Sequence, residues 1–300
     1  MTEFFQQAIG YLVLIFVVPS MLNVGLTQKP SRILFHLQNR QFLLTMLIVN
    51  LMLVPALMIY ALRLVPVAPH YEVGLLLFGL AAGAPFLIHL TRTSKRDLAL
   101  GATVMMVLML GTVVTMPIVL PVLIDGVTVS AWEIVAPMFT QMILPMVIGM
   151  VILQWFESFT AIVQPWVAKL SNIALYALLV AIVVGFSTAL ADPDIWIALG
   201  VGFGGLIIAF FIGYMIGDGH DQLKDIGGLA TAQRGTASAM IVASSAFEDP
   251  RILVVITLLN ALAVILLILA AKWLSPDNRF SFLTPVAADT PRRTSDQMER

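Results

Sequence analysis

The feature that most constrains this chain is a recurrence. Apolar stretches of about 20 residues, long enough to cross a bilayer as helices, follow one another from end to end. Nine read as spans: h1 Ile9–Asn23, h2 Phe42–Leu64, h3 Val73–Leu90, h4 Leu98–Ile124, h5 Ile134–Trp155, h6 Trp166–Ala191, h7 Ile195–Ile216, h8 Ile226–Phe247 and h9 Ile252–Leu274. With 11% charged residues and a mean hydropathy of +0.98, the chain is excluded from the class of ordinary soluble domains. In lipid, every backbone polar group needs an internal partner, so the expected fold class is all-α integral membrane.

The start "MTEFFQQAIG" carries Glu3 and no basic residue. It lacks the n-region of a cleaved signal peptide, and h1 is expected to remain as a span. The chain has no cysteine, so disulfides and thiolate metal sites are excluded. A net charge of −1 gives no reason to expect nucleic acid as a partner. With the N-terminus outside, thirteen of the 16 Lys and Arg fall on the inner side, and only Arg63 and Arg251 on the outer. That bias predicts an odd number of spans, N-out and C-in, in a cell (inner) membrane. Trp132, Trp155, Trp166, Trp196 and Trp273 all fall at span ends, as interfacial rings do. Residues 1–275 read as one membrane domain, and the Pro-containing, mixed-charge segment 276–300 as a disordered cytoplasmic tail.

Two spans are interrupted. h3 contains "AAGAPFLIHLTR", where Gly83 and Pro85 break the helix. h8 contains "TAQRGTASA", in which Thr231, Gln233, Arg234, Gly235, Thr236 and Ser238 replace apolar residues. The two lie five spans apart and so run in opposite directions. Paired breaks of this kind in two inverted halves point to a transporter's binding site.

Arg234 is the sharpest candidate. An arginine at membrane depth costs about 2.5–3.5 kcal/mol on insertion scales and needs a partner, yet no acidic residue lies deep in a span. Either it serves structure alone, bonding the freed carbonyls of a broken helix, or its counter-charge is an anionic substrate gripped by two hydrogen bonds. Asn50 in h2 and Asn260 in h9 are mid-span amides; each is either an interhelical tie or a ligand, and beside the breaks they read as the lining of a polar cavity. His89, near the inner end of h3, has a side chain suited to proton coupling, although interfacial histidines are commoner. Asp218, His220, Asp221 and Asp225 read as a solvated loop, since their spacing fits no metal pattern. "GVGFGG", Gly200 to Gly205, lies inside an apolar span, so the nucleotide reading fails on context. The glycines of h7, including Gly213 and Gly217, are read as permitting close helix packing. No nucleophile–base pair occurs at membrane depth, so an enzyme is not expected.

"YLVLIFVVPSMLNVGLTQKPSRI", "GLLLFGLAAGAP", "KRDLALGATV" and "GLATAQRGTASAMIVASSAF", in this order and spacing, resemble the bile acid:sodium symporter family over Ile9 to Lys272. The resemblance implies two inverted repeats with two broken helices that cross, here in a nine-helix form, in which a substrate cavity lies between two moving parts. The core would comprise 42–124 and 195–274, and the panel 4–26 and 134–191. It also implies that the family's sodium ligands are lost: Leu87 and Ile88 stand where a Ser-Asn pair is expected, Gly101 and Met105 where hydroxyls are, and Leu229 where a shared glutamate is. Gln233 is kept, Asn50 replaces a glutamine, and Arg234 stands where an asparagine is expected. The expectation is a secondary transporter of a small organic anion working by alternating access, with no cofactor and no sodium coupling through the usual two sites. Two readings stand beside it: a sodium-coupled, bile-acid-like symporter, and a non-transporting sensor or scaffold whose tail meets a partner. Substrate identity and oligomeric state are not legible.

Overall fold

The computed structural model describes residues 2–123, 130–185, 191–217 and 220–277, and these are helical throughout apart from short connections. In chain order the helices are α1 Thr2–Thr27, α2 Pro30–His36, α3 Arg40–Leu64, α4 Pro69–Leu80, α5 Phe86–Thr93 and α6 Leu98–Leu123. They continue with α7 Ala131–Trp155, α8 Glu157–Gly185, α9 Pro193–Ile216, α10 Asp221–Ala232, α11 Thr236–Ala246 and α12 Arg251–Leu274.

Among the described residues, six helices are long and apolar enough to cross a membrane, or seven if α1 and α2, which meet at a 79° bend, count as one span. The protein is therefore a multi-pass membrane protein. The expected h3 and h8 are each two short helices, α4–α5 and α10–α11, which fall below spanning length singly. The end of h6 and most of the expected tail, from residue 278 onward, lie outside the described residues.

Local chemistry sets the ends. Ser130 and Glu133 form a reciprocal capping box that starts α7, satisfying two orphan amides. Asp192 accepts from the Asp194 amide and precedes Pro193, whose fixed φ suits the first helical position of α9. The loop expected before Trp166 is helical instead. α8 begins directly after Phe156, with Glu157 in its first turn, where a carboxylate complements the helix dipole.

α1 packs along α7 and α8, α9 along α10, and α4 against α12. The glycines of α9 divide into two kinds. A methyl on Gly213 would collide with the Gly227 carbonyl and one on Gly217 with the Lys224 amide, so both permit close packing with α10, as expected. A Cβ on Gly200 or Gly204 would meet no neighbouring atom within 4 Å, so the packing explanation does not extend to them.

α3 and α7 each contain one π turn, Val49–Leu53 and Phe139–Ile143, and each turn is followed by a proline, Pro55 or Pro145. In α3 the Val54 amide reaches back five residues to the Val49 carbonyl. The donor one position on would be Pro55, which has none. The Asn50 carbonyl is thereby released from the helix ladder at membrane depth, where it must find another donor.

Candidate functional site

That donor is Arg234. The two interruptions meet as a short antiparallel bridge between Ala82 and Arg234, and the Gly235 amide donates to the Ala81 carbonyl at 2.9 Å. Gly83 holds φ +77, a left-handed conformation that glycine adopts freely, and a side chain there would strike the Met105 carbonyl and Met109 amide of α6. Pro85 then caps α5 and Gly235 caps α11.

Arg234 is 1% exposed, the largest fully buried side chain in the described protein. Its guanidinium nitrogens find five acceptors. Nη1 donates to Asn50 Oδ1 at 2.9 Å and to the Thr231 carbonyl at 3.4 Å. Nη2 donates to the freed Asn50 carbonyl at 3.2 Å and to the Gly79 carbonyl, and Nε donates to the Phe78 carbonyl at 3.4 Å. A guanidinium has five N–H groups, so this set matches its full donor capacity.

The carbonyls of Phe78 and Gly79 end α4, and that of Thr231 ends α10. Each helix end carries about −0.5 of an elementary charge, so two ends together offset about one positive charge. The positive charge therefore lies where two negative helix ends converge, which explains how it stays buried without a carboxylate.

The remaining polar groups sort around this centre. Asn50 Nδ2 donates to the Met46 carbonyl at 3.0 Å and to Thr231 Oγ1 at 3.2 Å, which fixes the amide with its oxygen toward Arg234. On the far side of the break, Thr236 Oγ1 donates to Asn260 Oδ1 at 2.6 Å. Gln233 is 2% exposed, and its Oε1 has no hydrogen-bond partner among the described residues. His89 stands apart: it is exposed, stacks near Phe86, and touches none of these groups.

Three elements were missed by sequence reasoning. Thr112 of α6 accepts from the Ala82 amide at 2.8 Å and donates to the Ala82 carbonyl at 3.0 Å, which satisfies the first break. The carbonyls of Phe78 and Gly79 carry no sequence signal beyond lying before a break. Asp225, expected in a solvated loop, is fully buried at the start of α10 and pairs with Arg96 Nη2 at 2.7 Å. This pair ties the segment after the first broken helix to the second. Asp218 lies outside the described residues.

The positions at which the resemblance implied lost cation ligands are packed. Leu87, Met105 and Leu229 are buried, and Gly101 leaves room for Thr91, whose hydroxyl donates to the Leu87 carbonyl at 2.8 Å. No group of three or more His, Asp or Glu among the described residues could hold a metal ion.

The sequence profile of the Sodium Bile acid symporter family matches residues 12–192, more than half of the chain, taking in Asn50 and the first break and ending before Arg234. A search of curated proteins finds no match. With its spanning helices, its paired breaks and this match, the chain belongs to the Sodium Bile acid symporter family.

Proposed function

We propose that the protein is a secondary transporter of a small organic anion in which Arg234 serves as a built-in cation, so that transport is not coupled to sodium through the family's two sites. One observation carries this reading: five acceptors converging from α3, α4 and α10 are already occupied by the guanidinium. A second cation placed beside it would meet repulsion of about 4 kcal/mol at 4 Å for an effective dielectric of 20. Because the five N–H groups are engaged, Arg234 organises the crossing and leaves substrate contact to its neighbours. Those neighbours are the N-terminal end of α11, Thr236 with Asn260, and the open Gln233 Oε1, which suits a hydroxyl or amide donor on the substrate. In this reading α3–α6 and α9–α12 form the core, and α1, α7 and α8 form the panel against which it moves in a nine-span, inverted-repeat architecture. The N-terminus is outside a cell (inner) membrane.

The test is uptake of radiolabelled organic anions into proteoliposomes with and without an imposed sodium gradient. Equal uptake is expected; strong sodium dependence sinks the proposal. Arg234→Ala empties the socket, and its uptake is expected to fall and to recover partly with guanidinium ion. An unimpaired Arg234→Ala protein removes the role assigned here. A second reading, sodium symport, draws on the unpartnered Gln233 Oε1 as a surviving oxygen ligand. Sodium-dependent thermal stabilisation of the purified protein would favour it.

A further inference from the structure

A cavity of about 410 Å³ lies between the second half of α3 and the middle of α9, in the ~300–1,000 Å³ range of small-molecule sites. It extends along α3 from Val54 to Leu64, roughly 15 Å at a helical rise. Its mouth is rimmed by Tyr60, Leu64 and Ile208, which are 61%, 64% and 53% exposed on spanning helices and therefore face the bilayer. Its inner end reaches Gly79 and Arg234.

We propose that this cavity holds the acyl chain of a membrane lipid, inserted sideways from the bilayer until its end meets the helix crossing. The lining selects hydrocarbon. Apart from the Tyr60 hydroxyl at the rim, and the Gly79 carbonyl and Arg234, which are bonded to each other, the walls are apolar side chains and glycines. Inside the rim a polar ligand would face apolar walls and would leave most of its own groups unsatisfied. The walls are also built to stay apart. Gly200 and Gly204 present bare backbone to the cavity, and a Cβ added to either would meet no atom of a neighbouring element within 4 Å. Glycines one turn apart on a spanning helix ordinarily bring another helix close. Here α3 does not close on them, and the slot opens directly onto lipid, the one apolar chain at hand. The proposal does not depend on which solute the protein carries.

The test uses vesicles of phosphatidylethanolamine and phosphatidylglycerol doped with a phospholipid bearing a diazirine along one acyl chain. After irradiation, labelled peptides are mapped in the wild type and in Gly204→Leu, whose side chain enters open space and fills the slot. Labels are expected to concentrate on Leu57, Ala61 and Ile208, well above Met215, which is exposed on the same helix. In Gly204→Leu they should fall about tenfold, as expected from overpacking an occupied site. Met215→Leu should change nothing. Wild-type labelling at Ile208 no greater than at Met215 overturns the proposal, as does undiminished labelling in Gly204→Leu. Gly200→Leu supplies the same measurement should Gly204→Leu fail to fold.

Discussion

The two broken helices solve one problem with different chemistry. At the first break the chain passes through Ala81–Pro85 among buried apolar side chains, and one hydroxyl, Thr112, satisfies both backbone groups of Ala82. At the second, a whole charged side chain is drawn inward and shared among three helices. Thr112 serves Ala82 alone, however: the Ala81 carbonyl takes the Gly235 amide, and the Phe78 and Gly79 carbonyls before the break depend on Arg234. The charge at the second break thus serves the ends of both broken helices, and its place at their crossing makes it a candidate for function.

The contrast can be attacked in descending order of effect. Arg234→Ala should cost about 3–5 kcal/mol, since it strips donors from a buried network and leaves two helix ends uncompensated. Denaturant unfolding in detergent would measure this, and Arg234→Lys, with three donors for five acceptors, should fall between. A loss no larger than that of Thr112→Val would erase the distinction between the breaks. Asp225→Asn should cost about 2–3 kcal/mol, because a buried charge-assisted pair with Arg96 becomes a neutral contact. Thr112→Val, which leaves the Ala82 amide unpaired, should cost about 1–2 kcal/mol by the same measurement.

The smallest effect is expected beyond the far end of the second broken helix, where Asp249 and Arg251 form a pair of which the side chains are 31% and 48% exposed. Burial pushes the Asp249 carboxyl up, but hydrogen bonds and charge from Arg251 outweigh it and hold its pKa below the ordinary value of 3.8. The stabilisation is present above that value and is lost as pH falls through the lower folded pKa. Solvent screening keeps it under about 1 kcal/mol, so Asp249→Asn should barely move the unfolding midpoint near neutral pH. A large shift there would mean that the helix is held by its end rather than by its break.

Much of this was legible in the sequence, for physical reasons. Apolar runs of spanning length have few alternatives to helix, and Gly83, Pro85, Gly235 and Arg234 are costly enough at membrane depth to mark both breaks. Asn50, Thr231, Gln233, Thr236 and Asn260 were candidates because polar groups are rare there. Their grouping into a guanidinium shell and a separate Thr236–Asn260 pair was not legible, since it depends on which helix faces meet. Thr112 hid among other threonines, and the carbonyls of Phe78 and Gly79 belong to the backbone, which every residue shares. The Asn50 carbonyl did leave a trace: Pro55, five residues on, removes the donor a π turn would need. The separate behaviour of Gly200 and Gly204 could not be read from a glycine count, because bare and crowded glycines look alike in a string of letters.

The shell around Arg234 also bears on how the protein is made. Asn50, Phe78 and Gly79 all precede Arg234 by more than 150 residues, so their helices emerge from the ribosome long before it does. Synthesis runs from the N-terminus, and early segments can assemble while later ones are still being added. The acceptors can thus be in place when the arginine arrives, and α10 enters a membrane in which a berth for its charge already exists. The order of residues along the chain, as much as their final positions, makes a buried arginine tolerable here.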